Sequence, residues 1–161
     1  MITLTATEES RQDINELAAF FEGLSSPTLE QKTNLGNAIR NIFSDIFANE
    51  GPSENPWHEL KDMTKWERLH EGFPPDHPIH YRTGSLEESF TARGNSEHVE
   101  EYTLSKNGWM LEIGSQDWRL PRLEGELGRP IALFGTIEDE RVGDTLDQIF
   151  ADAADTLGYN R

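Results

Sequence analysis

Apolar residues recur at three- and four-residue spacing in two stretches near the start of the chain and in one near its end. Ile14, Leu17, Ala18 and Phe21 share one face of a helix expected over residues 8–22. Gly23-Leu24-Ser25-Ser26-Pro27 breaks that period, with Ser26 and Pro27 suited to the N-cap and first position of a second helix. The second stripe is Leu35, Ile39, Ile42, Phe43, Ile46 and Phe47, and it stops by Gly51-Pro52. Two such helices on a short link predict an N-terminal helical hairpin within residues 1–50. The last stripe, Val142, Leu146, Ile149, Phe150, Ala153 and Leu157, predicts a terminal helix opened by a Thr136–Asp139 cap and ended by Gly158.

The middle of the chain changes period. Residues 51–56 are loop, and residues 57–70 are polar enough to predict partial, loosely packed helix. Residues 72–81, with Pro74, Pro75 and Pro78, predict an extended arm. Ser85 followed by Glu88 reads as a capping box, with Leu86, Ser89 and Phe90 on one face of a short helix. Asn107-Gly108 is a hairpin signal. Trp109, Leu111 and Ile113 alternate cleanly after it, whereas Val99, Tyr102 and Leu104 before it alternate poorly. Residues 120–127 are expected to be extended and residues 131–134 to form a short last strand. The sum is an α+β fold in one domain over residues 1–161: a helical hairpin, a small antiparallel sheet, and a C-terminal helix packed on that sheet.

One ordered series of short motifs stands out. A helix ends near Phe47, and Gly51-Pro52, Pro56-Trp57-His58-Glu59-Leu60 and Thr64 follow. Next come Arg82-Thr83-Gly84-Ser85-Leu86, Ser89-Phe90-Thr91, Ile113-Gly114-Ser115, Gly128-Arg129-Pro130 and Phe134-Gly135. This series resembles the phage virion morphogenesis family, the Mu-type tail completion or neck proteins, over roughly residues 35–157. Residues 116–127 depart from the family's usual Tyr-Ala and further Gly. The resemblance implies a structural, non-enzymatic protein at the head–tail neck or proximal tail end, in the virion and in the host cytoplasm during assembly. It implies a homo-oligomeric ring, six copies favoured and twelve possible, around the DNA channel. Connector or portal-side proteins would meet one face, and tail tube or terminator proteins the other. Trp57, Leu60, Arg82, Thr83, Gly84, Leu86, Ser89, Phe90, Trp118, Arg129 and Pro130 are the candidate interface and motif residues.

Composition narrows the chemistry. Fourteen basic against thirty acidic residues give a formal charge of −16 in 161 residues. Stable DNA or anionic-membrane binding rests on the opposite balance, so DNA is expected to pass without specific binding. The same charge fits an acidic interaction module, a DNA mimic or an inhibitor of a basic host protein, as the alternative reading. The chain has no Cys, which excludes disulfides and thiolate chemistry. No apolar run reaches the roughly 20 residues of a membrane span, and Met1–Thr5 lacks the features of a secretion signal.

Candidate catalytic chemistry is sparse. His77 and His80 sit in a Pro-flanked extended segment, where an i, i+3 pair points to opposite faces. Glu97, Glu100 and Glu101, like Glu138, Asp139 and Glu140, lack a neighbouring nucleophile and read as solvated faces, the second set at a helix N-terminus. No cofactor, metal or catalytic residue is expected. Arg82 and Arg129 are read either as intrachain ion pairs holding sheet to helices or as partners for acids of an adjacent subunit. Trp57 and Trp118 are read as core or as interface anchors.

Overall fold

The computed structural model describes residues 12, 15, 18, 27–76, 79, 84–105, 108–129, 131–132 and 134–156. The helix expected over residues 8–22 therefore lies outside the described residues, except that Gln12, Asn15 and Ala18 are helical and exposed. Arg82, Thr83 and Pro130 also lie outside them.

Helix α1 (Leu29–Ala48) is capped by Thr28, two residues after the expected cap Ser26. Thr28 Oγ1 accepts from the Gln31 amide at 3.2 Å, and Gln31 Oε1 accepts from the Thr28 amide at 2.8 Å, a reciprocal capping box. Its stripe is buried as expected, with Leu35, Ile42, Phe43, Ile46 and Phe47 all inside. The helix closes by a double turn: Gly51 N–H donates to Ile46 O at 2.8 Å and Glu50 N–H to Phe47 O at 3.3 Å. Glu50 occupies the left-handed position of that closure, with φ 57°. Its carboxylate accepts from the Ile79 amide at 3.0 Å, and Ile79 is buried in the core. The proline-rich segment, expected to be an extended arm, is thus pinned to the body at Ile79.

Helix α2 (Asp62–His70) follows the loop, then α3 (Ser85–Thr91), strands β1 (His98–Ser105) and β2 (Gly108–Ser115), a π-helical turn (Arg122–Glu126) and α4 (Thr136–Thr156). The strands form a two-stranded antiparallel sheet in which Leu104 faces Trp109, Tyr102 faces Leu111 and Glu100 faces Ile113. This is the α+β order expected. The aromatic centre holds Phe43 against Phe90 at 4.8 Å between ring centroids, Phe134 against Phe43 at 5.5 Å, and Trp57 edge-on to Phe47 at 5.5 Å.

Local expectations fail at four places, each for a physical reason. The capping box at Ser85 does not form, because Gly84 is the N-cap in a left-handed conformation (φ 78°) and Ser85 is already helical. Residues 120–127 are helical rather than extended: Pro121 has φ −57° and ψ −34°, and Leu127 N–H reaches Arg122 O at 3.0 Å. Leu120 and Leu123, three apart, both turn onto the core. Residues 131–134 form no strand among the described positions. Glu124 Oε1 accepts from the Ile131 and Ala132 amides at 3.3 Å each, so a side chain replaces a ladder partner while Ile131 plugs the core. The α4 start is held by Glu138, which accepts from Gly135 N at 2.9 Å and Ser53 N at 2.9 Å, and not by a Thr136–Asp139 pair.

Helix α4 takes α1, rather than the sheet, as its chief support. Arg141 Nη1 lies 2.8 Å from Asp45 Oδ2, and Gln31 Nε2 donates to Ile149 O at 3.4 Å, so the two helices run antiparallel. The sheet offers no apolar bed. One face is taken by α1 and α3, and on the other Glu101 sits directly opposite Glu112.

Gly84→Val is expected to lower stability by about 1–3 kcal/mol, because a branched side chain is forced into the left-handed region. Thermal denaturation checks this. A variant as stable as the parent would show that the turn relaxes to negative φ.

Candidate interaction surfaces

A buried ionic seam joins the sheet to α1. Gly36 allows the approach: a Cβ there would lie 2.8 Å from Glu100 Oε1 and 3.0 Å from the Tyr102 hydroxyl. A mid-helix glycine costs roughly 1 kcal/mol against alanine, and the close packing of β1 is what it makes possible. Arg40 pairs with Glu100 and donates also to Asn37. Arg93 forks onto the same carboxylate, Nε to Oε2 at 2.9 Å and Nη2 to Oε1 at 2.5 Å. His98 Nδ1 donates to Ser89 O at 3.0 Å, and its Nε2 stands 3.5 Å from Glu100 Oε2. The Tyr102 hydroxyl donates to Lys32 O. Hydrogen bonds from Arg93 hold the Glu100 carboxyl down at about 2; burial opposes them, and Arg40 and His98 add to them.

A second network ties α3 to the end of β2. Ser89 Oγ donates to Leu86 O at 2.7 Å and accepts from Ser115 Oγ at 2.7 Å. Ser115 Oγ accepts from Asp117 N at 3.0 Å, and Arg119 Nε donates to Asp117 Oδ1 at 2.8 Å and Nη2 to Ser85 Oγ at 3.0 Å. Hydrogen bonds from Arg119 lower the Asp117 carboxyl below the usual range against the opposing effect of burial. At the Glu138 site burial alone would raise the carboxyl, but bonds from Ser53 and Gly135 outweigh it and leave it lowered.

The predicted site residues divide clearly. Trp57, Leu60, Leu86, Ser89 and Phe90 are buried in the core or its polar seam. Gly84 is the buried turn before α3. Trp118 is 79% exposed, on the turn that Asp117 and Arg119 brace. Arg129 is buried, its Nη2 donating to Glu59 O at 3.0 Å and its Nε without an acceptor. Burial lowers its pKa. Among the described residues a sheet-to-helix ion pair, one of the two readings of Arg82 and Arg129, is made by Arg40 with Glu100, and Arg82 lies outside them.

The surface missed by sequence reasoning is α2. Met63, Trp66 and Leu69 are 68%, 56% and 60% exposed and recur every third residue along one side. His70 stacks on Trp66 with ring centroids 3.7 Å apart. The spacing was visible, but the polar residues between hid it. Along α4 the exposed positions include Asp139, Glu140, Asp144, Asp147, Asp152 and Asp155. Among the described residues no group of three or more His, Asp or Glu is placed to hold a metal ion, and no helix is long and apolar enough to cross a membrane. Set against family models, curated proteins and solved structures, the chain matches none of them.

Proposed function

We propose that this chain is a structural subunit of a tailed-phage virion, acting at the head–tail neck or the proximal end of the tail. Several copies close a ring around the DNA path, with six favoured, and join connector to tail. One observation carries the reading: the unburied Met63–Trp66–Leu69 side of α2, against which no described element packs extensively. So much apolar surface on one short helix of a strongly charged chain marks a contact with another protein. Trp118 extends the same argument to the 117–127 turn. The exposed acids of α4 supply a wall that repels DNA and lets it slide.

Those same acids favour the second reading, an acidic module that occupies a basic surface on a host protein. Assembly separates the two, since a mimic acts as a monomer or dimer and a neck protein needs a closed ring. Converting Met63 and Trp66 together to Glu is the test. Both side chains are exposed, so stability is expected to change by no more than about 0.5 kcal/mol for each. Joining of heads to tails is expected to fall at least 30-fold, the loss of one aromatic anchor being worth about 2 kcal/mol per interface. A folded double variant that still joins particles at the parental level contradicts the proposal.

A further inference from the structure

A cavity of about 440 Å³ opens between the first turns of α1 and the inner face of β1, lined by Leu29, Lys32, Arg93, His98, Glu100 and Tyr102 among others. A smaller one of about 130 Å³ adjoins it, sharing Lys32 and Tyr102 and reaching Leu104 and Trp109. We infer that this double groove is a binding site for an acidic peptide segment of another protein, a carboxylate entering the larger cavity and an apolar side chain the smaller. The inference is independent of the ring, because it needs only a partner strand of that chemistry.

The charge balance here is opposite to that of the chain. Arg40 and Arg93 pair with Glu100, the one carboxylate among the described lining residues, and Lys32 lines the same cavity, in a protein of net charge −16. Glu100 is already saturated: Arg40, Arg93, His98 and Tyr102 all face its two oxygens. Lys32 pairs with no carboxylate among the described residues; its Nζ lies 5.6 Å from the centre of the Tyr102 ring. The Arg93 side chain is half exposed, lines the same cavity and binds Glu100 through Nε and Nη2, leaving Nη1 without a bond to that carboxylate. An ammonium and a guanidinium edge therefore converge on one space, above a floor that is fixed and cannot move to neutralise them.

The ligand class follows from size and range. The larger cavity is within the usual span for a bound side chain or small ligand, about 300–1,000 Å³. A polyanion such as duplex DNA must lay many phosphates along a surface that is acidic elsewhere. A single carboxylate feels mainly the charges within about 8 Å at physiological salt, and the described lining of the cavity, Lys32 and Arg93 against Glu100, is net basic. Leu104 is largely exposed beside Trp109 and gives the flanking apolar residue a seat.

The probe is an acetylated, amidated hexapeptide of four Glu and two Leu, titrated into the full chain while backbone amide resonances are followed. Saturable shifts confined to Lys32, Thr33, Arg93, Tyr102 and Trp109 are expected. The peptide with Gln for Glu should bind at least 10-fold more weakly, and so should the acidic peptide to Lys32→Gln. Lys32 holds no ion pair among the described residues, so that variant is expected to keep the parental thermal midpoint; Lys32→Arg should retain binding. Equal binding of the Gln peptide, equal binding by Lys32→Gln, or saturation by inorganic phosphate alone would each overturn the inference. So would groove shifts that appear on concentrating the chain without peptide, since the occupant would then be a second copy.

Discussion

Glu100→Ala is expected to cost about 3–5 kcal/mol, the usual loss when one member of a buried ion pair is removed and its partner stays inside. Arg40 would be that partner, buried beside Gly36 with Asn37 as its remaining contact. Replacing both residues, Arg40→Met with Glu100→Leu, should recover most of the loss, because no charge is then left uncompensated. Urea denaturation of the three variants checks both statements. If Glu100→Ala is within 1 kcal/mol of the parent, which is smaller than the usual cost of an orphaned buried charge, the seam is a wet surface contact.

The same carboxylate sets a pH dependence. Its folded pKa is about 2 against an ordinary value of 4.5, so folding favours the ionised form. The stabilisation is fully present above the unfolded value and is lost as pH falls from about 5 toward 2. Between those limits the parent should lose stability more steeply than Glu100→Ala. Parallel acid limbs in the two proteins would show that other carboxylates carry the transition.

Gly51→Ala is the second large effect, expected at about 3 kcal/mol or more from strained backbone and overpacking together. Gly51 has φ 132°, a region closed to side chains. A Cβ would stand 2.7 Å from Trp57 N, 2.8 Å from Pro56 Cα and 2.9 Å from Asn55 O, all backbone atoms that cannot swing away. The loop is held from both ends, by Gly51 N–H to Ile46 O and by Trp57 N–H to Glu50 O at 2.7 Å. Relief would require Trp57 to leave its contact with Phe47. A thermal midpoint within 2 °C of the parent would show that the loop moves as a unit at little cost.

The contrast between Gly51 and Glu50 shows where the sequence is legible. A helix stop at Gly51-Pro52 is plain, yet the left-handed residue of the closure is Glu50, where a glycine is the usual choice. No propensity reveals this, because the reason is distant: the Glu50 carboxylate is needed at the Ile79 amide. Strand β1 fails in a similar way. Its inward positions are His98, Glu100 and Tyr102, with Leu104 largely exposed, and a polar seam leaves no apolar alternation to read, whereas Trp109, Leu111 and Ile113 on β2 read correctly. The stripe of α1 and the buried face Leu86–Ser89–Phe90 were legible because they pack against one core, whereas the α4 stripe is met only in part: Val142 joins the core and Ile149 is buried, Phe150 is exposed, and Leu157 and Gly158 lie outside the described residues. Trp57 was open between core and interface because its loop is polar; Gly51 folds that loop back and delivers the ring to Phe47. The exposed side of α2 was masked by Thr64, Lys65, Glu67 and Arg68, charged and polar neighbours that a window average cannot separate from Met63, Trp66 and Leu69.

The ring is most directly tested by electron cryomicroscopy of phage particles assembled with this chain. The account predicts a closed ring of six or twelve copies at the junction of head and tail. Met63, Trp66 and Trp118 should be buried between subunits or against the adjoining protein, and the acidic side of α4 should face the DNA. Particles without the chain, or a chain present only as single copies with α2 in solvent, would contradict it.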